Sequence, residues 1–72
     1  MGLKLFAATG YGRDFEYAVW AANRSEAIQF FRVPLREMSD QSTNKNLRAI
    51  ITDRKQVYRR PLDDDNAKWE KQ

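Results

Sequence analysis

The stretch FEYAVWAANRSEAIQFFRV, residues 15–33, decides the fold, because a strand pattern turns into a helix pattern within it. Its first eight residues are rich in aromatic side chains and place alternate side chains on two faces, which predicts a strand. Asn23 is a favoured N-cap and Glu26 follows three residues later, so a helix with a capping box should begin here. Pro34 disfavours helical geometry in the residue before it, and the helix should therefore end or kink at Val33. The alternative is that Pro34 opens a second short turn through Met38.

Further strands are predicted on both sides of this stretch. Residues 3–9 form a first strand, and the glycine-containing loop 10–14 joins it to the second strand as an antiparallel hairpin. The segment 39–46 contains no apolar residue and is predicted as an exposed loop, followed by strands over residues 47–52 and 57–60. The resulting order β-β-α-β-β predicts an α+β fold, a four-stranded, mainly antiparallel sheet with one helix packed on one face.

The 72 residues are enough for one small domain. We expect a single α+β domain over residues 1–61 and a polar C-terminal tail over residues 62–72, which is rich in aspartate. Cysteine and histidine are both absent, so disulfides and a structural zinc site are not expected. Core packing or association with another chain must then supply the stability.

The residue types argue against an enzyme. Without histidine or cysteine, the chain cannot assemble a Ser-His or Cys-His nucleophile. Gly10 and Gly12 belong to no phosphate-loop pattern, and the run Asp63-Asp64-Asp65 is typical of a solvated acidic segment. We therefore expect no catalytic residue, no cofactor and no metal ligand.

Hydropathy and charge favour a cytoplasmic protein with an acidic partner. No apolar run approaches the roughly 18–20 residues that span a bilayer, and the first residues lack the apolar stretch of a secretion signal, so no membrane contact is expected. Residues 1–60 hold eleven Lys or Arg against six Asp or Glu, a net charge of +5, whereas residues 61–72 hold two against four. A basic body of this kind suits an acidic protein surface or a nucleic acid.

With one helix on one face, the opposite face of the predicted sheet is left open. Strand alternation places aromatic rings and cations on it, and the basic hairpin over residues 45–60 extends this surface. The candidate partner-binding residues are Lys4, Phe6, Trp20, Arg48, Arg54, Lys55, Tyr58, Arg59 and Arg60.

Several occupants of this open face are consistent with the pattern. A protein partner would use Trp20, Tyr58 and the arginines as interface anchors. A single-stranded nucleic acid would stack its bases on Phe6, Trp20 or Tyr58 and pair its phosphates with the cations. The purely structural alternatives are that the tail folds back and Trp69 covers part of the face, or that two copies form a homodimer through it.

A resemblance to a known group of proteins rests on the passage YAVWAANRSEA, residues 17–27, in which the second strand runs into the helix. In so small and cysteine-free an α+β chain, this layout resembles accessory proteins of phages and mobile elements, among them anti-CRISPR proteins and inhibitors of host RNA polymerase. The resemblance implies tight binding that blocks a host complex, often at a surface that handles nucleic acid, and it transfers no individual functional residue. Our leading hypothesis is a non-catalytic protein-binding module of this inhibitor type, acting on a host or phage protein complex. The alternative is a small basic nucleic-acid-binding protein that uses the open sheet face.

Overall fold

The computed structural model describes residues 2–12 and 14–72; Met1 of the predicted domain and Arg13 of the predicted hairpin loop lie outside this range. The strands are β1 (Lys4–Gly10), β2 (Phe15–Ala21), β3 (Leu35–Asp40), β4 (Tyr58–Pro61) and β5 (Glu70–Lys71), and the helices are α1 (Arg24–Phe31) and α2 (Lys45–Ile50). None of the described helices is long and apolar enough to cross a membrane.

The strands form one five-stranded sheet in the order β3-β1-β2-β4-β5, and every neighbouring pair is antiparallel. The predicted antiparallel α+β fold and the β1–β2 hairpin are therefore confirmed. The prediction of four strands and one helix is wrong, because the described residues contain five strands and two helices. The differences lie in residues 35–38, which form most of β3 and not a second helical turn, and in the segments predicted as loop, third strand and tail.

Helix α1 begins where the sequence predicts it. The Asn23 side-chain oxygen accepts a hydrogen bond from the Glu26 N–H at 2.9 Å, and Glu26 Oε1 accepts one from the Ala22 N–H at 2.9 Å. The first bond caps the helix, and the second satisfies the N–H of the residue before the N-cap. The arrangement therefore differs from a capping box, in which the glutamate accepts from the N-cap residue itself. The helix ends at Phe31, two residues before the predicted end, because Arg32 adopts a left-handed conformation with φ of 58° and closes the last turn.

The side of the sheet beneath α1, here called the α1 side, holds the larger part of the apolar core. Its buried members come from β1, β2 and α1, and half-buried apolar side chains surround them. The buried residues are Phe6, Ala8, Tyr17, Val19, Ala21, Ala27 and Phe31. The rings of Tyr17 and Phe31 are tilted against each other with centroids 6.1 Å apart, a favourable aromatic geometry.

The segment between β3 and β4 differs most from the prediction. The predicted loop 39–46 contains the end of β3 and the start of α2, and the predicted strand 47–52 is mainly helix. Asn44 caps this helix by accepting a hydrogen bond from the Leu47 N–H at 3.1 Å. Leu47 and Ile51 are four residues apart, the spacing that places two side chains on one helix face, and both are buried. Packing of that face on the sheet outweighs the strand preference of isoleucine, which depends strongly on context.

Helix α2 covers the opposite side of the sheet, here called the α2 side, so the face predicted to be open is partly closed. A second, smaller core lies between this helix and the sheet, with two tryptophan rings packed against it. Its buried residues are Leu5, Ala18, Leu47, Ile51 and Tyr58, and the half-buried rings are those of Trp20 and Trp69. The sheet is therefore packed on both sides.

The relative phase of β1 and β2 also differs from the prediction. Phe6 pairs with Val19 and Leu5 pairs with Trp20 across the hairpin, so Phe6 lies on the α1 side and Leu5 on the α2 side. Alternation along a strand shows which of its side chains share a face. The hairpin register decides which face of β1 lies on the same side of the sheet as a given face of β2. The predicted grouping of Phe6 with Trp20 on one face is wrong for this reason.

The C-terminal segment 62–72, predicted as a polar tail, extends the sheet. β5 pairs with β4, and the Gln72 N–H donates to the Val57 carbonyl at 2.9 Å. Trp69 packs against the core of the α2 side. Of the structural alternatives, the one in which the tail folds back and Trp69 covers part of this face therefore matches the structure.

Candidate functional site

One depression brings together three of the side chains that the sequence singles out. We call it the Trp20 site; it has a volume of about 330 Å³ and is lined by Gly2, Leu3, Trp20, Arg48, Ile51, Thr52 and Arg54. Strand β2 supplies the indole, helix α2 supplies Arg48, and the segment after α2 supplies Arg54. The site therefore depends on α2, the element that differs most from the predicted fold.

The indole of Trp20 is held in one orientation. Its Nε1–H donates to the Ile51 carbonyl at the end of α2. The guanidinium carbon of Arg48 lies over the ring, 5.8 Å from the centroid, which is a cation–π contact. Because Trp20 is only half-buried, the site combines an ordered aromatic ring with an ordered cation at the surface.

The Trp20 site is cationic. Arg48 and Arg54 are both exposed, and the described residues that line the site include no carboxylate. Asp53, which precedes Arg54 in the chain, forms an ion pair with Lys71, and the hydrogen bond to that carboxylate raises the pKa of Lys71. An anionic group that enters the site therefore meets two guanidinium groups whose charges the lining does not neutralise.

Two of the predicted stacking rings are buried. Phe6 is 3% exposed beneath α1, and Tyr58 is 5% exposed in the core of the α2 side. The Tyr58 hydroxyl accepts a hydrogen bond from the Asp53 N–H at 3.2 Å. The prediction that these rings are exposed on an open face is wrong, because α1 covers the first and α2 packs over the second.

Three of the predicted cations lie apart from the Trp20 site. The Arg59 guanidinium lies over the Phe15 ring on the α1 side, 4.5 Å from its centroid. Lys4 is exposed at the start of β1. Lys55 occupies a turn with φ of 62° and lines a different depression, beside Phe30. The basic hairpin predicted over residues 45–60 is therefore not one continuous patch.

Arg60, the remaining predicted cation, makes contacts within the fold. Its Nη2 donates to Glu16 Oε1 at 2.5 Å, an ion pair between neighbouring residues of β4 and β2. Its guanidinium carbon also lies 4.9 Å from the centroid of the Trp69 ring. Arg60 thus connects the C-terminal segment to the sheet, and its charge is compensated by Glu16.

A second open space lies beside α2 on the same side of the sheet. This groove has a volume of about 380 Å³, and strands β1, β2 and β3 supply much of its lining. Ile50 of α2 and Trp69 also line it, and Ile50 is 48% exposed. The lining residues Ala7 and Thr9 are too short to fill the space between sheet and helix, so the packing of the α2 side stays incomplete.

Neither metal chemistry nor a known relative assigns a role to these residues. Within residues 2–12 and 14–72, no group of three or more acidic, histidine or cysteine side chains is placed to hold a metal ion. Comparisons of the sequence with protein-family models and curated proteins, and of the fold with solved structures, find no match. The functional interpretation therefore depends on the residues of the Trp20 site themselves.

The sequence alone points to Arg48 and Arg54, the cations of this site, but not to all the residues that line it. Alternation in the predicted β-β-α-β-β fold places Leu3 beneath the single helix, whereas it lines the Trp20 site. The signal that would have revealed α2 is the pair Leu47 and Ile51, four residues apart and preceded by the N-cap residue Asn44. A helix over this segment places Arg48 near Trp20.

Proposed function

We propose that the chain is a small, non-catalytic protein-binding module that docks on an acidic surface of its partner through the Trp20 site. The observation that carries this proposal is that an oriented indole and two exposed guanidinium groups share one depression whose described lining lacks a carboxylate. Tryptophan and arginine are among the side chains that most often dominate the binding energy of protein interfaces. The matching groups on the partner are carboxylates flanked by apolar side chains.

The order already present in the site supports tight binding. Association costs free energy for every side chain that must be immobilised, and rotamer-rich arginines lose the most. The contact of Arg48 with the Trp20 ring and the hydrogen bond from the indole to Ile51 restrict both side chains before any partner arrives. The planar guanidinium also offers paired N–H groups that match the geometry of a carboxylate.

Occlusion is the mode of action that fits such a module. A chain of 72 residues that binds without turnover acts by covering or locking the surface it occupies. This is the behaviour implied by the resemblance to phage and mobile-element inhibitors. We therefore extend the proposal to an anti-CRISPR-like or polymerase-inhibitor-like role, in which the partner is a host or phage complex that handles nucleic acid and offers an anionic face.

A nucleic acid is the second candidate ligand, and the same two arginines would contact its phosphates. Base stacking needs accessible rings, but Phe6 and Tyr58 are buried and Arg48 lies over the Trp20 ring. Two arginines neutralise only about two phosphates, so the affinity would be low and its salt dependence shallow. These observations favour a protein partner.

The proposal is tested by affinity capture from the lysate of a candidate host, with nuclease present throughout. The wild-type chain is compared with the double variant Arg48→Glu/Arg54→Glu, which reverses both charges of the Trp20 site. We expect the wild type to retain a stoichiometric protein and the double variant to retain at least about tenfold less of it. Both side chains are exposed, so the variant should keep the wild-type circular dichroism spectrum, and loss of the Arg48–Trp20 contact should lower the melting temperature by only a few degrees.

The matched control is Arg32→Glu/Lys68→Glu, which changes the net charge equally at exposed positions outside the Trp20 site. It should retain the partner at close to the wild-type level. Equal losses in both double variants would mean that net charge, and not this site, attracts the partner. A parallel capture without nuclease separates the two ligands: a protein retained only in that arm would assign the surface to nucleic acid. The absence of any stoichiometric protein from both arms would overturn the proposal.

A further inference from the structure

Strand β3 forms one edge of the sheet, since the strand order places no other described strand outside it. The Gln41 N–H donates to the Leu5 carbonyl at 2.7 Å, and the same register with β1 continues along the strand. Backbone groups alternate in direction along a strand, so those of Met38 and Asp40 point outward. In the single chain the outward Met38 carbonyl accepts a hydrogen bond from the exposed Arg24 side chain, at 3.3 Å from Nη1. Pairing at Met38 requires this side chain to move aside. Such an edge is able to pair with a strand of another chain.

The sequence of β3, LREMSD, is complementary to itself when two copies run antiparallel. With Met38 of each copy on the two-fold axis, Arg36 of one copy lies opposite Asp40 of the other, and the pair occurs twice. Opposite charges that face each other across strands stabilise the pairing. The neighbouring registers lack this match. With Glu37 on the two-fold axis, the two Glu37 carboxylates face each other. With Ser39 on the axis, Asp40 of one copy lies opposite Met38 of the other. The charges therefore select one register.

Both members of the charge pair are accessible. Arg36 and Asp40 are exposed, and hydrogen bonds from Ser42 lower the pKa of Asp40, so that its carboxylate is ionised at neutral pH. Arg36 is the extra residue of a bulge in β3, because Thr9 pairs with Glu37 and Gly10 pairs with Leu35. A bulge disturbs backbone pairing. We therefore expect Arg36 to stabilise the dimer through its side chain only, and the backbone hydrogen bonds between the two copies to form near Met38.

An apolar patch adjoins this edge on the α1 side. Ile28 of α1 is 51% exposed, and it lines a depression together with Val33, Leu35 and Met38. In a two-fold interface the same patch is contributed by both copies. Because Met38 would lie at the axis, the patches of the two copies would adjoin there. Apolar burial and the two charge pairs would then favour the same arrangement.

We propose that two copies of the chain form a symmetric dimer by antiparallel pairing of their β3 strands, with Met38 at the two-fold axis and Arg36 opposite Asp40. The sheet then continues across both copies. The Trp20 site shares none of the residues of this interface, so the dimer presents that site twice. The dimer interface therefore does not depend on which ligand binds the Trp20 site.

The charge match is tested by sedimentation equilibrium from about 1 µM to about 1 mM protein at low salt. Arg36→Asp alone and Asp40→Arg alone each oppose like charges across the axis, and each should raise the dimer dissociation constant at least about tenfold. Mixing the two variants restores opposite charges, so a heterodimer should form at close to the wild-type affinity. A wild-type chain that stays monomeric over this range, or a mixture that associates no better than the single variants, would overturn the proposal.

The register is tested by disulfide cross-linking, which the absence of native cysteine makes specific. Opposite residues of a hydrogen-bonded antiparallel pair have Cα atoms about 5.5 Å apart, within the range that a disulfide spans. Under mild oxidation Met38→Cys should therefore form a covalent dimer faster than Glu37→Cys or Ser39→Cys. Fastest cross-linking at position 37 or 39 would contradict the register, and equally slow cross-linking at all three positions would contradict β3 pairing. Circular dichroism checks that each variant is folded.

Discussion

The two sides of the sheet differ in how completely they are packed. On the α1 side, an eight-residue helix capped by Asn23 closes over large side chains, and Phe31 is only 1% exposed. On the α2 side, a six-residue helix covers a smaller core and leaves Trp20 and Trp69 half-buried. The larger core of the α1 side contributes more to stability, whereas the smaller core of the α2 side leaves the Trp20 ring and its neighbouring cations accessible. The candidate function therefore lies where the packing is incomplete.

The cause of this difference is visible along β2. Residues that face α1 include Tyr17 and Val19, which are large and fill the space beneath the helix. Between them Ala18 faces α2 and contributes little volume. Close packing requires that the side chains of the sheet and of the covering helix together fill the space between them. Because Ala18 is small, space remains on the α2 side, and the Trp20 ring fills only part of it.

The largest expected effect is that of Phe31→Ala on the α1 side. It removes a fully buried ring from the main core, which should lower the free energy of unfolding by about 3–5 kcal/mol. The measurement is urea denaturation followed by circular dichroism. Gln29→Ala, on the exposed side of the same helix, is the control and should change stability by less than about 0.5 kcal/mol.

A smaller loss is expected for Leu47→Ala on the α2 side. This side chain is buried, but the short helix above a loosely packed side can move into the space that it vacates. We expect a decrease of about 2–3 kcal/mol in the same urea experiment. A loss equal to or greater than that of Phe31→Ala would mean that the two sides contribute alike, contrary to the comparison.

The two N-caps allow the same change on each side. Asn23→Ala and Asn44→Ala each remove a side-chain acceptor from the first turn of a helix, at a cost of about 1 kcal/mol. Hydrogen exchange should show that Asn23→Ala loosens α1, whereas Asn44→Ala loosens α2 and speeds exchange of the Trp20 indole N–H, which donates to Ile51. Unchanged exchange of that indole N–H in Asn44→Ala would indicate that α2 does not hold the indole.

The smallest effect concerns the ion pair that attaches β5. Asp53 raises the pKa of Lys71 above its usual value of 10.5, so the pair stabilises the fold below that pH and loses its effect as the pH rises through the folded-state pKa. The difference in melting temperature between wild type and Asp53→Asn should be small, because both groups are about half exposed. This difference in melting temperature should decrease as the pH is raised from about 9 to about 12. A difference that stays constant over this range would show that the ion pair is not its cause.

The α1 side follows from local signals in the sequence. Asn23 and Glu26 specify the start of the helix, Pro34 limits its end, and the alternation in β2 gives the faces of that strand. These signals act over a few residues, so they can be evaluated without knowing the rest of the fold. The strand-helix order 15–31 and the antiparallel α+β class were predictable for this reason.

The α2 side depends on contacts between distant residues. The segment from Leu47 to Ile51 contains two isoleucines, which favour a strand, but its apolar residues Leu47 and Ile51 are four residues apart, which favours a helix. Packing of these two side chains on the sheet decides for the helix. The phase of β1 relative to β2 is likewise set by the hairpin register, which moves Phe6 away from Trp20. The cations of the Trp20 site were predictable from charge, but its assembly required the position of α2.

We propose above all that the chain recognises a protein partner through the Trp20 site. The most direct measurement is site-specific photo-cross-linking in nuclease-treated host lysate, with a photoreactive amino acid placed at Thr52 in the site or at Gln29 on α1. Both positions are exposed, so neither replacement should disturb the fold. We expect a discrete protein adduct from position 52 that is absent from position 29. An adduct from position 29 alone, or no adduct from position 52 with a partner that co-purifies, would contradict it.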